Sequence, residues 1–163
     1  MPQVRRRRPR LPPAQYVGKQ RYLLTICCSQ RQQHFADAQN VEQVCKEILR
    51  TATANQVAIL AYCFMPDHLH LLAEGLTETA DLTRFVKLAK QRTGYAFRRR
   101  HDAVLWQESW HDHIIRPSED PKAALRYLLE NPLRAGLTRT VADYPHIGSG
   151  TMTRDALLGS AGL

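Results

Sequence analysis

The feature that most constrains this chain is an unbroken apolar run, Val57 to Met65 (VAILAYCFM), followed by Pro66-Asp67 and then His68 to Glu74 (HLHLLAE). An apolar stretch without polar alternation reads as a strand buried on both faces or nearly so, because a half-exposed strand alternates with a period of two. Pro66 and Asp67 are turn formers, so the second segment returns as the paired strand of a hairpin. The run is far shorter than the ~20 residues that span a bilayer. No apolar signal core follows the Arg-rich start. A soluble cytoplasmic protein with no membrane partner is expected.

Other segments arrange themselves around the hairpin. Arg21 to Cys28 (RYLLTICC) is rich in strand formers. From Asn40 to about Asn55, the residues Val41, Val44, Cys45, Ile48, Leu49 and Ala52 make a helical stripe, with Asn40 as the expected N-cap. Asp81 to Arg100 forms a second helix, with Leu82, Phe85, Val86, Ala89, Ala96 and Phe97 toward the core. A weaker strand lies within Leu105 to Arg116, and a third helix runs from Glu119 to about Asn131, stopped by Pro132. The order strand, helix, hairpin, helix, strand, helix predicts an α+β fold, a ferredoxin-like antiparallel sheet with helices packed on one face. At 163 residues the chain suits one compact domain. Residues 1–15 are expected to form a basic, Pro/Arg-rich disordered tail, and residues 146–163 an irregular C-terminal tail.

Charge is concentrated. Lys and Arg number 23 against 15 Asp and Glu, a net +8. Arg5, Arg6, Arg7, Arg8 and Arg10 fall in the first ten residues, and without these five the balance drops to +3. Such an excess favours a polyanionic partner, because each phosphate neutralised releases a counterion. A solubilising tail is the plainer reading. The cysteines, Cys27, Cys28, Cys45 and Cys63, show no Cys-x-x-Cys spacing and read as buried free thiols.

Three groups of residues could do chemistry. His68 and His70 are two apart on a strand, so both imidazoles share a face and could bind one divalent metal. Tyr127 and Asn131 are four apart on a helix and stack on one side. An amide oxygen there could be a further ligand, and the phenol a nucleophile if a metal polarises its target. A core-edge tyrosine and a helix-terminal asparagine fit the spacing equally. His111 and His113 repeat the His-x-His pattern. They could complete a four-histidine site or line a groove with donors for phosphate.

In CFMPDHLHLLAE, the helix containing FVKLAKQRTG, LWQESWHDHIIR and YLLENPLRAGL, taken in order, the chain resembles the REP-associated tyrosine transposases. These are single-tyrosine transposases of the HUH endonuclease superfamily. The resemblance covers roughly residues 20–145 and marks 16–145 as the catalytic domain. It implies that His68 and His70 bind Mg²⁺ or Mn²⁺ and that Tyr127 cleaves single-stranded DNA through a 5′-phosphotyrosine. Asn131 would be the third ligand, where insertion-sequence relatives usually carry glutamine. The implied substrate is palindromic-repeat DNA folded as a hairpin with a single-stranded flank, the protein acting in the nucleoid as a monomer or homodimer. Arg84, Lys87, Lys90, Arg92, Arg98, Arg99 and Arg100, with Arg5 to Arg8, would grip phosphates. His111 and His113 would give active-site support. The readings to be distinguished from this one are a repeat-binding protein without turnover, a replication-initiator nickase, and a zinc-bound structural domain built on the four histidines.

Overall fold

The computed structural model describes residues 10–163. Five strands form one antiparallel sheet: β1 (Arg21–Cys27), β2 (Val57–Met65), β3 (His68–Gly75), β4 (His111–Ile115) and β5 (Ile147–Gly148), in the order β4-β1-β3-β2-β5. Two helices cross over between strands, α1 (Ala38–Ala54) and α2 (Leu82–His101). This is the ferredoxin-like arrangement that the element order predicts, and the helices of that unit lie on one face.

The apolar run of β2 is explained by what covers it. Val57, Ile59 and Phe64 join Leu24, Ile26, Leu69 and Leu71 in a core with Val44, Ile48, Phe85, Val86 and Phe97 of α1 and α2. A register shift between Ile59 and Ala61 then puts Ala61, Cys63 and Met65 on the opposite face. There they pack against Leu128 and Leu129 of α3 (Pro121–Leu129) and Leu157 and Ala161 of α5 (Arg154–Ala161). The segments beyond β4 therefore roof the second face of the hairpin.

Several boundaries differ from the sequence reading. Asp37, not Asn40, caps α1, its side chain accepting from the Gln39 N–H at 2.8 Å. Asn40 is buried and ties the His34 carbonyl to the His101 ring, at 2.9 Å each. Pro132 does not stop the third helix but starts a further turn, α4 (Asn131–Arg134), after α3 has ended at Leu129.

Residues 146–163 are not irregular, because Thr153 caps α5 and Leu157 and Ala161, one turn apart, are fully buried. Tyr144 donates its hydroxyl to the Phe64 carbonyl at 2.6 Å, and Arg154 donates to the carbonyls of Ala142, Tyr144 and Ile147. Within the expected N-terminal tail, Pro13–Tyr16 form a short helical turn, and the Gln15 carbonyl accepts from the Tyr22 hydroxyl at 3.0 Å. Tyr16 is buried and stacks on Tyr22 at 6.3 Å, and its hydroxyl donates to Asp112 at 3.0 Å. Arg5 to Arg8 lie outside the described residues. The four cysteines are free thiols, and burial pushes those of Cys28 and Cys63 up to about 12.

Candidate active site

β3 pairs with β1 and β2 so that Cys63, His70, Thr25 and His111 form one row across four strands. Directly paired residues share a face, so His68 and His70 lie on the face roofed by α3, opposite α1 and α2. His70 is 7% exposed, and burial holds its ring at about 3, far below the usual histidine range. It is neutral, as a metal-ligating imidazole must be.

The two rings meet tip to tip. His68 Nε2 and His70 Nε2 are 3.0 Å apart, with the ring planes at 87°. Each ring is fixed from behind. His68 Nδ1 lies 2.7 Å from Asp67 Oδ1, and His70 Nδ1 lies 3.0 Å from Thr25 Oγ1. A carboxylate on Nδ1 keeps the proton there and turns the Nε2 lone pair outward. Asp67 is fixed in turn by Arg31, whose Nε donates to Oδ2 at 2.8 Å. Together these partners hold the Asp67 carboxyl below its ordinary range despite the opposing effect of burial. Gln30 and Arg31 both stand in left-handed backbone, at φ 52° and 56°. Two convergent imidazoles with outer partners suit a divalent cation.

Tyr127 is 52% exposed on α3, next to the buried Leu128 and Leu129. Asn131 Nδ2 donates to the carbonyls of Tyr127 and Leu128 at 3.1 and 3.2 Å. Its Oδ1, the atom a metal would take, has no partner among the described residues. Arg134 lies against the tyrosine, its guanidinium carbon 4.4 Å from the ring centre and one N–H donated to the Tyr127 carbonyl. Burial is the main cause of the low His70 value, and the neighbouring His68, Arg134 and Arg31 act in the same direction. The sequence reading missed Thr25, Asp67, Arg31 and Arg134. Only Asp67 left a local signal, as the residue beside His68.

The second His-x-His pair is separate. His111 is two strands from His70, about 10 Å at ordinary strand spacing. His113 Nε2 lies 2.9 Å from Glu119. Among the described residues no group of three or more His, Cys, Asp or Glu could hold a metal, so the four-histidine zinc domain is not built. Arg84, Lys87, Arg98, Arg99 and Arg100 are exposed along α2, on the far side of the sheet from His68 and His70. Arg92 lies 4.0 Å from Glu47 and 3.4 Å from Thr51 Oγ1. Lys90 is occupied: Nζ donates to the carbonyls of Gln107 and Glu108 at 2.7 Å each, and burial lowers it to about 8.

Residues 16–119 match the family described as transposase IS200 like. The chain belongs to that family. It is also 30% identical over 99 residues to a Haemophilus influenzae protein named as a REP-associated tyrosine transposase. That alignment covers 53% of this chain and spans just over half, 56%, of the relative's length. The fold is shared with a REP-associated tyrosine transposase solved bound to a REP hairpin, at TM-score 0.73 and 20% identity over 86% of this chain and 81% of that one. A Deinococcus radiodurans protein described as a transposase superposes at TM-score 0.53, with 24% identity over 77% of this chain and 96% of its own. No helix among the described residues of this IS200-like transposase is long and apolar enough to cross a membrane.

Proposed function

We propose that this IS200-like transposase is a metal-dependent single-stranded DNA endonuclease and strand transferase acting on palindromic-repeat hairpins. The observation that carries this reading is the convergence of His68 and His70 at 3.0 Å, each ring held from behind. His68 and His70, with Asn131 Oδ1, would hold Mg²⁺ or Mn²⁺. When bound, the cation supplies Lewis-acid stabilisation of the charge that develops on the phosphate.

The chain's own residues do the rest. Asp67 and Thr25 orient the imidazoles, and α3 presents the Tyr127 phenol at the surface. The Tyr127 oxygen attacks phosphorus in line, forming a phosphotyrosine bond as the bond to the 3′-oxygen breaks. The phenol proton leaves to solvent, and the departing oxygen takes one to become a 3′-hydroxyl. Attack by another 3′-hydroxyl reverses the step and joins strands without ATP. The hairpin partner is supported by the similarity to the hairpin-bound relative. Arg84, Lys87 and Arg98 to Arg100 form an exposed cationic surface suited to phosphate. Arg5 to Arg8 would add charge to the same partner.

The test is end-labelled hairpin DNA from repeats near the gene, incubated with Mn²⁺ or EDTA and resolved on a denaturing gel. A Mn²⁺-dependent covalent band is expected, absent in Tyr127→Phe, which keeps hairpin affinity. A band surviving in Tyr127→Phe overturns the nucleophile. The reading to be distinguished is a repeat-binding protein without turnover. Tight binding with no band under any metal decides for that reading.

A further inference from the structure

A break in the chain brings one cation onto Tyr127. In a continuous helix, residue 134 would stand about 10 Å along the axis from residue 127. Here α3 ends at Leu129 and Pro132 restarts the backbone as α4. The Arg134 side chain folds back, donating to the Tyr127 carbonyl and lying 4.4 Å from the ring centre. Glu130 sits between two arginines, 3.2 Å from Arg126 and 3.6 Å from Arg134. Two cations share one carboxylate, which leaves a net positive charge beside the phenol.

Arg134 is not used up by these contacts. Its side chain is 42% exposed, and the 3.6 Å approach to Glu130 is an ion contact too long for a direct hydrogen bond. A guanidinium carries five N–H groups in a planar fork that matches phosphate oxygens. Only one of those groups is committed, to the Tyr127 carbonyl.

We propose that Arg134 binds the phosphate attacked by Tyr127 and is a catalytic residue beside the nucleophile, an inference resting on Tyr127 as the nucleophile. Arg134 keeps its protons throughout. It contributes positive charge and directed N–H groups where negative charge grows on the non-bridging oxygens.

The test is the rate of covalent adduct formation by the full chain with saturating end-labelled hairpin and Mn²⁺, alongside hairpin affinity in EDTA and the melting temperature. Arg134→Gln removes the charge yet retains a donor for the Tyr127 carbonyl. Loss of one such donor typically slows reaction by about 10²–10³-fold, and Arg134→Gln is expected to fall in that range with affinity within about threefold of wild type. Arg134→Ala should be as slow, and sub-denaturing guanidinium chloride should restore it at least about tenfold without speeding the wild type. If alanine unfolds the turn, Arg134→Gln and Arg134→Lys, the latter intermediate, decide the matter. Adduct formation by Arg134→Gln at the wild-type rate overturns the inference and leaves the nuclease reading standing. Slowing by alanine that glutamine fully repairs also overturns it, since the role is then structural. No adduct from the wild type overturns both.

Discussion

Asp67 joins Arg31 to His68, taking the Arg31 Nε–H on one oxygen at 2.8 Å and lying 2.7 Å from His68 Nδ1 with the other. The orientation of the His68 ring therefore depends on a carboxylate that stands behind it. Asp67→Asn is expected to weaken Mn²⁺ binding by about 10–100-fold, the usual cost of losing a partner behind a ligating imidazole. Isothermal titration calorimetry with Mn²⁺ checks this, and unchanged affinity contradicts it.

The burial of His70 makes a prediction about acid in the metal-free protein. Its ring titrates at about 3 when folded, against ~6.5 in an unfolded chain. Between those values the unfolded state binds the extra proton, so stability falls as pH drops below about 6.5 and levels off near the folded value. The slope approaches about 1.4 kcal/mol per pH unit. The stability difference between wild type and His70→Asn, measured by urea unfolding from pH 6.5 to 5, should shrink by that slope. A pH-independent difference refutes it.

Cations on α2 fall into two groups. Lys90 holds the carbonyls of Gln107 and Glu108, whereas Arg84 and Lys87 are exposed. Lys90→Met should cost about 1–3 kcal/mol of stability, the scale of a lost charged hydrogen bond, and leave the salt dependence of hairpin binding intact. The double variant Arg84→Ala, Lys87→Ala should be as stable as wild type and lower the log–log salt slope by about two. Binding titrations from 50 to 300 mM salt, roughly the useful window, separate the two.

Leu157 is fully buried in α5 against the second face of the hairpin. Leu157→Ala is expected to destabilise the fold by about 2–5 kcal/mol, read as a lower urea midpoint with an unchanged slope. A silent substitution would mean that α5 does not stay docked.

Much of the sheet is legible because its signals are local. The run Val57–Met65, the Pro66-Asp67 turn and the apolar spacing from Leu82 to Phe97 place β2, β3 and α2 within a residue or two. Residues 146–163 were harder. Their Gly, Ser, Thr and Ala content looks like loop, and α5 is stabilised by burial of Leu157 and Ala161 rather than by propensity. Asn40 fits a cap as well as Asp37 does, and its other employment, between His34 and His101, exists only once α1 meets α2. Within the site, His68 and His70 are legible because a strand puts alternate residues together. Arg134 is not, since its approach to Tyr127 needs the break at Glu130, and Thr25 meets His70 only through strand pairing across 45 residues.

The sheet separates two surfaces, with the exposed cations of α2 on one side and His68, His70 and α3 on the other. For any nucleic acid gripped along α2, that thickness is a ruler. On the reading proposed above, a strand leaving such a duplex would have to round the edge of the sheet to reach Tyr127, a path suited to unpaired nucleotides. The cut would then fall at a set distance from the stem rather than flush with its base, a spacing fixed by the sheet itself before any base is read.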